Sequence, residues 1–263
     1  MDLGLSGKAA VVAASSQGLG YAIAQELAAE GASVVMCARG EERLRRAAER
    51  IAGATGARVV PVVADVSKPP DLERLAAAAH DALGHVDVVV TNSGGPSPGT
   101  FEGVRQEAWQ AAFETVLMSA VELIRAFLPG MKERRFGRIL NVTSITVKQP
   151  VENLLLSNAL RAAVTGMART LATEVAPFGI TVNNLLPGHT RTERLNELAE
   201  VSAARDGTAP ADFFARLERE IPARRLGDPR ELAALAAFLA SERAAYITGQ
   251  SIAVDGGWIR SLY

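Results

Sequence analysis

The sequence predicts a single α/β domain of the doubly wound kind, with a seven-stranded parallel sheet and helices on both faces. Short β-branched runs alternate with longer segments rich in alanine, leucine, glutamate and arginine. The runs are almost continuously apolar, as expected of strands that are covered on both faces. A chain of 263 residues is long enough for one large domain, and no stretch has a linker's composition.

The order of the elements follows from the same alternation. The predicted strands are 9–14, 33–38, 59–64, 86–91, 138–143, 180–185 and 251–254. The predicted helices are 20–30, 41–52, 71–83, 105–132, 155–176 and 230–241. The polar, helix-prone stretch 191–222 breaks the rhythm, which favours a mobile insertion over the active site, hereafter the lid; a plain surface excursion is the alternative.

Composition excludes several classes of function. The formal net charge of −1 gives no attraction to nucleic acid or to an anionic membrane, and no apolar run is long enough to cross a bilayer. The one cysteine, Cys37, rules out a disulfide framework and fits a reducing compartment. The first residues lack a signal peptide's pattern, so we expect a cytoplasmic protein, and we predict no metal site.

A glycine turn follows the first predicted strand and opens the first helix. Gly18 lets the backbone approach a diphosphate, and Gly20 permits close packing of helix and strand. Free N–H groups at the helix start would bind the phosphates, although a tight structural turn is the alternative. The predicted cofactor contacts in this segment are Ser15, Ser16, Gln17, Gly18 and Leu19.

The residue after the second strand predicts which dinucleotide is preferred. Sites for NAD place an acidic residue there to bind the ribose hydroxyls, whereas an arginine accommodates a 2′-phosphate. Arg39 occupies this position and therefore favours NADP(H) over NAD(H), with Ser16 and Gln17 able to add hydrogen bonds. The alternative is that Arg39 only begins a solvated charged helix.

With these motifs in order, the chain resembles the short-chain dehydrogenase/reductase family, which has a Rossmann fold, from Leu5 to about Trp258. It looks most like the 3-oxoacyl-acyl-carrier-protein reductases. The motifs that carry the resemblance are the turn 13–20, the pair Asp65-Val66, the segment Thr91–Gly94, strand 137–144 ending in Ser144, the segment 180–188 followed by Thr192, and the closing strand 246–257.

The resemblance implies hydride transfer between a nicotinamide and a small-molecule carbonyl or acyl substrate. It also implies a homotetramer built through the long fourth and fifth helices and the last strand. It carries over further cofactor contacts at Asp65, Val66, Asn92, Ser93, Gly94, Arg161, Pro187, Gly188 and Thr192.

The sequence departs from the family pattern where the chemistry is done. The family's catalytic tyrosine and lysine fall at Ser157 and Arg161, and its asparagine falls at Leu117. The first glycine of the turn is Ala14. Of the catalytic positions only Ser144 is kept, and none of the chain's tyrosines, Tyr21, Tyr246 and Tyr263, is close to position 157.

These changes predict an atypical proton donor. A serine hydroxyl is a far weaker acid than a phenol, so Ser157 would at most hold a water, while Arg161 stays charged, can bind the nicotinamide ribose and can stabilise a developing oxyanion. Ser144 can hydrogen-bond a substrate oxygen. His189 and Lys148 are further candidate acids, with a structural histidine and a solvated lysine as the alternatives.

Three functions follow. The first is an NADP(H)-dependent reductase of the ketoacyl type with an altered or water-assisted proton donor, with Ser144, Ser157 and Arg161 at its centre. The second is a module that binds NADP(H) without turnover. The third is a dehalogenase-like chemistry on the same fold, which the absent tyrosine and the retained Gly18 and Gly20 disfavour.

Overall fold

A computed structural model describes residues 2–262, except for the side chain of Arg205. Its centre is a seven-stranded, all-parallel sheet in the order β3-β2-β1-β4-β5-β6-β7, which confirms the predicted fold class. The strands are β1 (Ala9–Val12), β2 (Ser33–Ala38), β3 (Val59–Val63), β4 (Val88–Thr91), β5 (Gly137–Val142), β6 (Ile180–Pro187) and β7 (Ser251–Val254). The order reverses between β1 and β4, which is where such sheets bind ligands.

Helices cover both faces of the sheet. They are α1 (Gly18–Ala29), α2 (Glu41–Thr55), α3 (Pro69–Leu83), α4 (Gln106–Ala112), α5 (Ser119–Arg134), α6 (Leu155–Val175), α7 (Glu193–Asp206), α8 (Pro210–Glu220) and α9 (Pro229–Ala240). The lid therefore contains α7 and α8. Within residues 2–262, no helix combines the length and apolar character needed to cross a membrane.

The predicted helix 105–132 is wrong as a single element. Between α4 and α5 the chain makes a wider π-helical turn at Phe113–Met118. The apolar spacing in this segment is compatible with one helix. The wider turn rotates the residues that follow it to a different side of the helix axis. Such turns in helices are often found at functional sites, and this one contains Leu117.

Alternation along the strands divides the core into two layers. Val12, Val34 and Val90 point to one face and pack under α1, α2 and α9. Their neighbours Val11, Val35 and Val89 point to the other face and pack under α3, α5 and α6. Because both faces are buried, the central strands read as continuous apolar runs.

A buried polar ladder crosses the C-terminal half of the sheet. Thr91 Oγ1 donates to Asn141 Oδ1 at 2.7 Å, and Asn141 Nδ2 donates to Asn184 Oδ1 at 3.1 Å. Asn184 Nδ2 then donates to Ser251 Oγ at 3.0 Å. Each rung joins two adjacent strands, so β4, β5, β6 and β7 are held in one register at the level of the site.

Candidate active site

The glycine turn lies where β1 ends and α1 begins, at the reversal point of the sheet. A Cβ at Gly20 would sit 2.4 Å from Ala14 O and 2.9 Å from Asn92 Nδ2, so no side chain fits. Asn92 Nδ2 donates to Ala13 O at 3.3 Å and to Ala14 O at 3.2 Å, which ties the end of β4 to the turn. The turn is thus tightly packed, and Asn92 belongs to its support.

Ala14 is strained at the position where the family has glycine. Its φ is +46°, in the left-handed region that costs an L-residue about 1–2 kcal/mol. We expect Ala14→Gly to raise the free energy of unfolding by about 0.5–1 kcal/mol, because relief of strain outweighs the added freedom of the unfolded chain. Thermal unfolding measures this effect.

The matched control for that variant is Ala13→Gly. Ala13 is buried and is not among the residues with positive φ, so glycine there should lower stability. Equal effects of the two variants would show that the left-handed conformation of Ala14 carries no strain.

Ser15, which the sequence predicts as a cofactor contact, lies buried within the turn. The residue exposes none of its surface, and its hydroxyl donates to Val12 O at 2.8 Å and accepts from Cys37 N at 3.2 Å. Its own N–H donates to Cys37 O. These bonds fasten the turn to β2. Ser16, Gln17, Gly18 and Leu19 are half-buried around the turn, as a cofactor-binding segment requires.

Two arginines lie beside the turn at the end of β2. Arg39 is exposed immediately after the strand, which is compatible both with a 2′-phosphate contact and with the start of a solvated charged helix. Arg43, one helical turn further on, donates through Nη1 to Gln17 Oε1. Arg43 was not predicted as a site residue, although its spacing of four residues from Arg39 was the available signal. The pair adds positive charge beside the turn.

Asp65 and Val66 follow β3 on the same edge of the sheet. Asp65 Oδ1 accepts from Ser67 N at 3.0 Å and from Ser67 Oγ at 2.8 Å. The Asp65 N–H donates to Asp71 Oδ2 at 2.8 Å. Both of these hydrogen bonds to the carboxylate are made at Oδ1, so the predicted adenine contact keeps Oδ2 as an acceptor.

Ser144 follows β5 and caps the short helical turn Ile145–Val147. Its Oγ accepts from Thr146 N at 3.2 Å. That contact uses an acceptor site of the hydroxyl and leaves its proton for a substrate oxygen. The backbone bond also fixes the hydroxyl in place, so the serine is suited to orient a carbonyl.

Arg161 is buried at the end of β5. Its Nη1 donates to Val142 O at 2.9 Å and to Thr143 O at 2.8 Å. Burial lowers the pKa of the Arg161 guanidinium to about 10, which still leaves it charged at neutral pH. The guanidinium lines a small pocket with Asn92, Ser93 and residues of α5 and α6. The structure thus brings Arg161 beside Asn92 and Ser93, two of the other predicted cofactor contacts.

Ser157 lies one turn before Arg161 on α6 and is also buried. Leu117 packs in an apolar cluster with residues of α4 and α6, so it offers no polar group where the family has its asparagine.

Tyr21 packs against Arg50, and Tyr246 is fully exposed before β7. Tyr263 lies outside the described residues. No phenol within residues 2–262 lines the pocket of Arg161.

His189 is placed away from that pocket. Its ring packs edge-on against Trp258 with centroids 5.5 Å apart, and it lines a second pocket with Arg225, Glu231 and Asp255. Burial lowers the pKa of its imidazole, with Glu220 opposing this, so the neutral form dominates at neutral pH. These features favour the structural alternative over an acid. Lys148 is exposed in the loop after Ser144, as a solvated lysine would be.

Pro187, Gly188 and Thr192 lead from β6 into the lid. A Cβ at Gly188 would lie 2.7 Å from the backbone of Asp255, so the chain passes close to the residue after β7. Thr192 Oγ1 caps α7 by accepting from Leu195 N at 3.3 Å. A Cβ at Gly18 would lie 3.7 Å from Thr192 Cγ2, which places the start of α7 directly over the glycine turn.

Comparisons with known proteins agree with this geometry. Residues 13–259 match the family model described as enoyl-(acyl carrier protein) reductase. The chain is 36% identical to the 3-oxoacyl-[acyl-carrier-protein] reductase FabG of Vibrio cholerae, over 97% of this chain and 98% of that one. The fold and its glycine turn define a dinucleotide-binding oxidoreductase scaffold. The chain belongs to the short-chain dehydrogenase/reductase family.

Solved structures give the same result. L-sorbose reductase from Gluconobacter frateurii, complexed with NADPH and L-sorbose, matches with a TM-score of 0.95 and 36% identity, over 100% of both chains. An NADPH-bound short chain oxidoreductase from Pseudomonas aeruginosa matches with a TM-score of 0.88 and 35% identity, over 97% of both chains. The second is described as containing an atypical catalytic center.

Proposed function

We propose that this protein is an NADP(H)-dependent oxidoreductase that reduces a carbonyl substrate of the 3-oxoacyl type with an atypical proton donor. The observation that carries the proposal is the glycine turn at the sheet's reversal point, where Gly20 leaves no room for a side chain. Such a turn brings backbone N–H groups close to a diphosphate. The relatives described as NADPH complexes add support.

The residues at the site fit this cofactor, which when bound supplies the hydride. Gly18 and the start of α1 would hold the diphosphate, and Arg39 with Arg43 would bind a 2′-phosphate. Asp65 and Val66 would contact the adenine. Asn92, Ser93 and Gly94 would border the ribose and the ring, together with Pro187, Gly188 and Thr192.

The chain's own groups would then act on the substrate oxygen. Ser144 would donate its hydroxyl hydrogen bond to that oxygen, because its Oγ is already fixed by Thr146 N. The Arg161 charge would stabilise negative charge that develops there. Ser157 would hydrogen-bond a water that relays a proton from bulk solvent to this oxygen, because the serine side chain is much shorter than the family's tyrosine.

A calorimetric titration with NADPH and NADH, followed by absorbance assays with 3-oxoacyl thioesters and simple ketones, tests the proposal. We expect tighter binding of NADPH and oxidation of it by at least one carbonyl. Absence of affinity for both nucleotides would end the oxidoreductase assignment.

The second candidate, an NADP(H)-binding module without turnover, is favoured by Leu117 and Ser157, which remove the family's amide and phenol from the site. Tight binding of NADPH with no oxidation by any carbonyl in the panel would select this candidate.

Arg39→Asp tests the cofactor preference. We expect NADPH affinity to fall roughly thirtyfold, about 2 kcal/mol, because a charge-assisted hydrogen bond is replaced by repulsion. NADH affinity should fall far less. Arg46→Asp is the matched control, since Arg46 is an exposed arginine of α2 that pairs with Glu42. Equal loss for both nucleotides would remove Arg39 from the 2′-phosphate site.

We also propose a cytoplasmic homotetramer. Ala162, Ala163 and Gly166 are exposed on α6, and β7 is a half-exposed edge strand. Small side chains on a long helix allow a second helix to approach closely, and an edge strand presents unpaired backbone groups. Light scattering after size exclusion would give the mass of the assembly.

A further inference from the structure

The C-terminal segment 255–260, hereafter the tail, folds back on itself after β7. Asp255 Oδ1 accepts from Gly257 N at 2.9 Å, and Asp255 Oδ2 accepts from Ile259 N at 2.8 Å. One carboxylate therefore shapes the whole turn. The turn directs Trp258 towards the lid and not into solvent, since this indole packs with the lid's apolar residues.

The lid has an apolar cluster of its own, separate from the two layers beside the sheet. Its members are Leu195, Leu217, Ile221 and Leu226, with Phe213, Phe214 and Trp258 packed against them. Leu226 lies just beyond the lid and Trp258 comes from beyond β7, whereas the other members lie within the lid. The tail thus supplies an aromatic ring that the lid's small core would otherwise lack.

The tail also contacts the last residues of the lid and the residue that follows them. Ala223 N donates to Gly256 O at 3.1 Å. A Cβ at Gly256 would lie 2.8 Å from Ile221 Cγ2, and a Cβ at Gly257 would lie 3.4 Å from Pro222 Cγ. The two glycines therefore allow the end of the lid to pack flush on the tail.

The opposite end of the lid lies over the cofactor cleft. A Cβ at Gly18 would be 3.6 Å from Glu193 Oε2, and Arg194 Nη2 reaches Pro96 O at 3.5 Å. The first turn of α7 therefore bridges the glycine turn and the loop after β4. Those contacts are exposed and few, whereas the contacts with the tail are apolar and packed.

The tail also contacts the loop after Ser144 and the segment between β6 and the lid. Arg260 N donates to Gln149 Oε1 at 3.1 Å, in the loop that follows Ser144. The ring of Trp258 meets His189 at 5.5 Å, where β6 leads into the lid. One short segment thus joins the lid, the residues between β6 and the lid, and the loop beside Ser144.

We propose that the tail is a positioning element, with Trp258 as its anchor, that holds the lid across the cofactor cleft and sets how fast the dinucleotide leaves. The part that concerns the dinucleotide rests on the function proposed above. The physical reason is that the lid has a small apolar core, to which the tail adds Trp258, while its contacts over the glycine turn are few and exposed.

Trp258→Ala should loosen the lid selectively. Amide hydrogen exchange in peptides from α7 and α8 should become roughly tenfold faster, while β1, β4 and β5 keep their protection, because the sheet's core does not contain Trp258. NADPH dissociation, followed by stopped-flow fluorescence, should also accelerate roughly tenfold. Trp258→Phe keeps an aromatic ring, so its rates of amide exchange and of NADPH dissociation should stay close to those of the parent protein.

Leu262→Ala is the matched control, since Leu262 lies beyond the tail with 91% of its surface exposed and should change neither readout. Unchanged exchange in α7 and α8 would overturn the proposal, as would equal loss of protection in the lid and the sheet. The exchange experiment needs no nucleotide, so it decides the anchoring role even if the parent protein binds no NADPH; that separate result would overturn the proposed function.

Discussion

The double substitution Ser157→Tyr with Arg161→Lys is expected to raise the rate of carbonyl reduction roughly a hundredfold over the parent protein. A phenol is a far stronger acid than an aliphatic hydroxyl, and a neighbouring ammonium lowers its pKa further. Ser157 and Arg161 lie one turn apart on α6, and both are buried. Arg161 Nη1 donates to the two backbone carbonyls immediately before Ser144, so we expect both substituted positions to lie near the oxygen site proposed above.

The matched control carries Ser157→Phe with Arg161→Lys. This variant has the ring and the ammonium but no phenolic proton, so it should bind NADPH and show no gain in turnover. The measurement is the initial rate of NADPH oxidation with 3-oxoacyl thioesters. Should the phenylalanine variant gain as much as the tyrosine variant, position 157 does not donate the proton.

Gly20→Ala is expected to weaken NADPH binding roughly a hundredfold, close to 3 kcal/mol. A Cβ would lie 2.4 Å from Ala14 O and 2.9 Å from Ser15 Cα, and both atoms belong to the backbone of the turn. The turn must therefore open, and the N–H groups that we assign to the diphosphate move away from it. Isothermal calorimetry measures the loss, and circular dichroism shows whether the fold is retained.

Gly53→Ala is the control for this substitution. Gly53 lies inside α2 with nothing within 4 Å of a Cβ, so alanine should leave NADPH affinity unchanged and add about 0.5–1 kcal/mol of stability. Full NADPH affinity in a folded Gly20→Ala protein would show that the diphosphate does not bind at this turn.

The sheet and the helices beside it could be predicted because each strand and helix carries its own local pattern. Strands buried on both faces must be apolar throughout, so segments such as 33–38 were predicted with the bounds that β2 has in the structure. The π-helical turn at Phe113–Met118 was missed because its apolar spacing resembles that of a continuous helix.

The site was predictable only in part, because several of its features depend on contacts between distant segments. The sequence places Gly20 in a turn, but it does not show that the Ser15 hydroxyl donates to Val12 O and accepts from Cys37 N. In the same way the sequence left His189 open as a candidate acid or a structural histidine, and the contact of its ring with Trp258, which lies far along the chain, favours the structural alternative. Tertiary contacts decide these roles, and local spacing does not encode them.

The ladder from Thr91 to Ser251 has a consequence for synthesis of the chain. Asn184 finds its acceptor only when Ser251, near the C-terminus, has joined the sheet. A nascent chain that ends before residue 251 lacks the hydroxyl that accepts from Asn184, so β6 remains an edge strand with unpaired polar groups. Completion of the domain is in this way coupled to release of nearly the whole polypeptide from the ribosome.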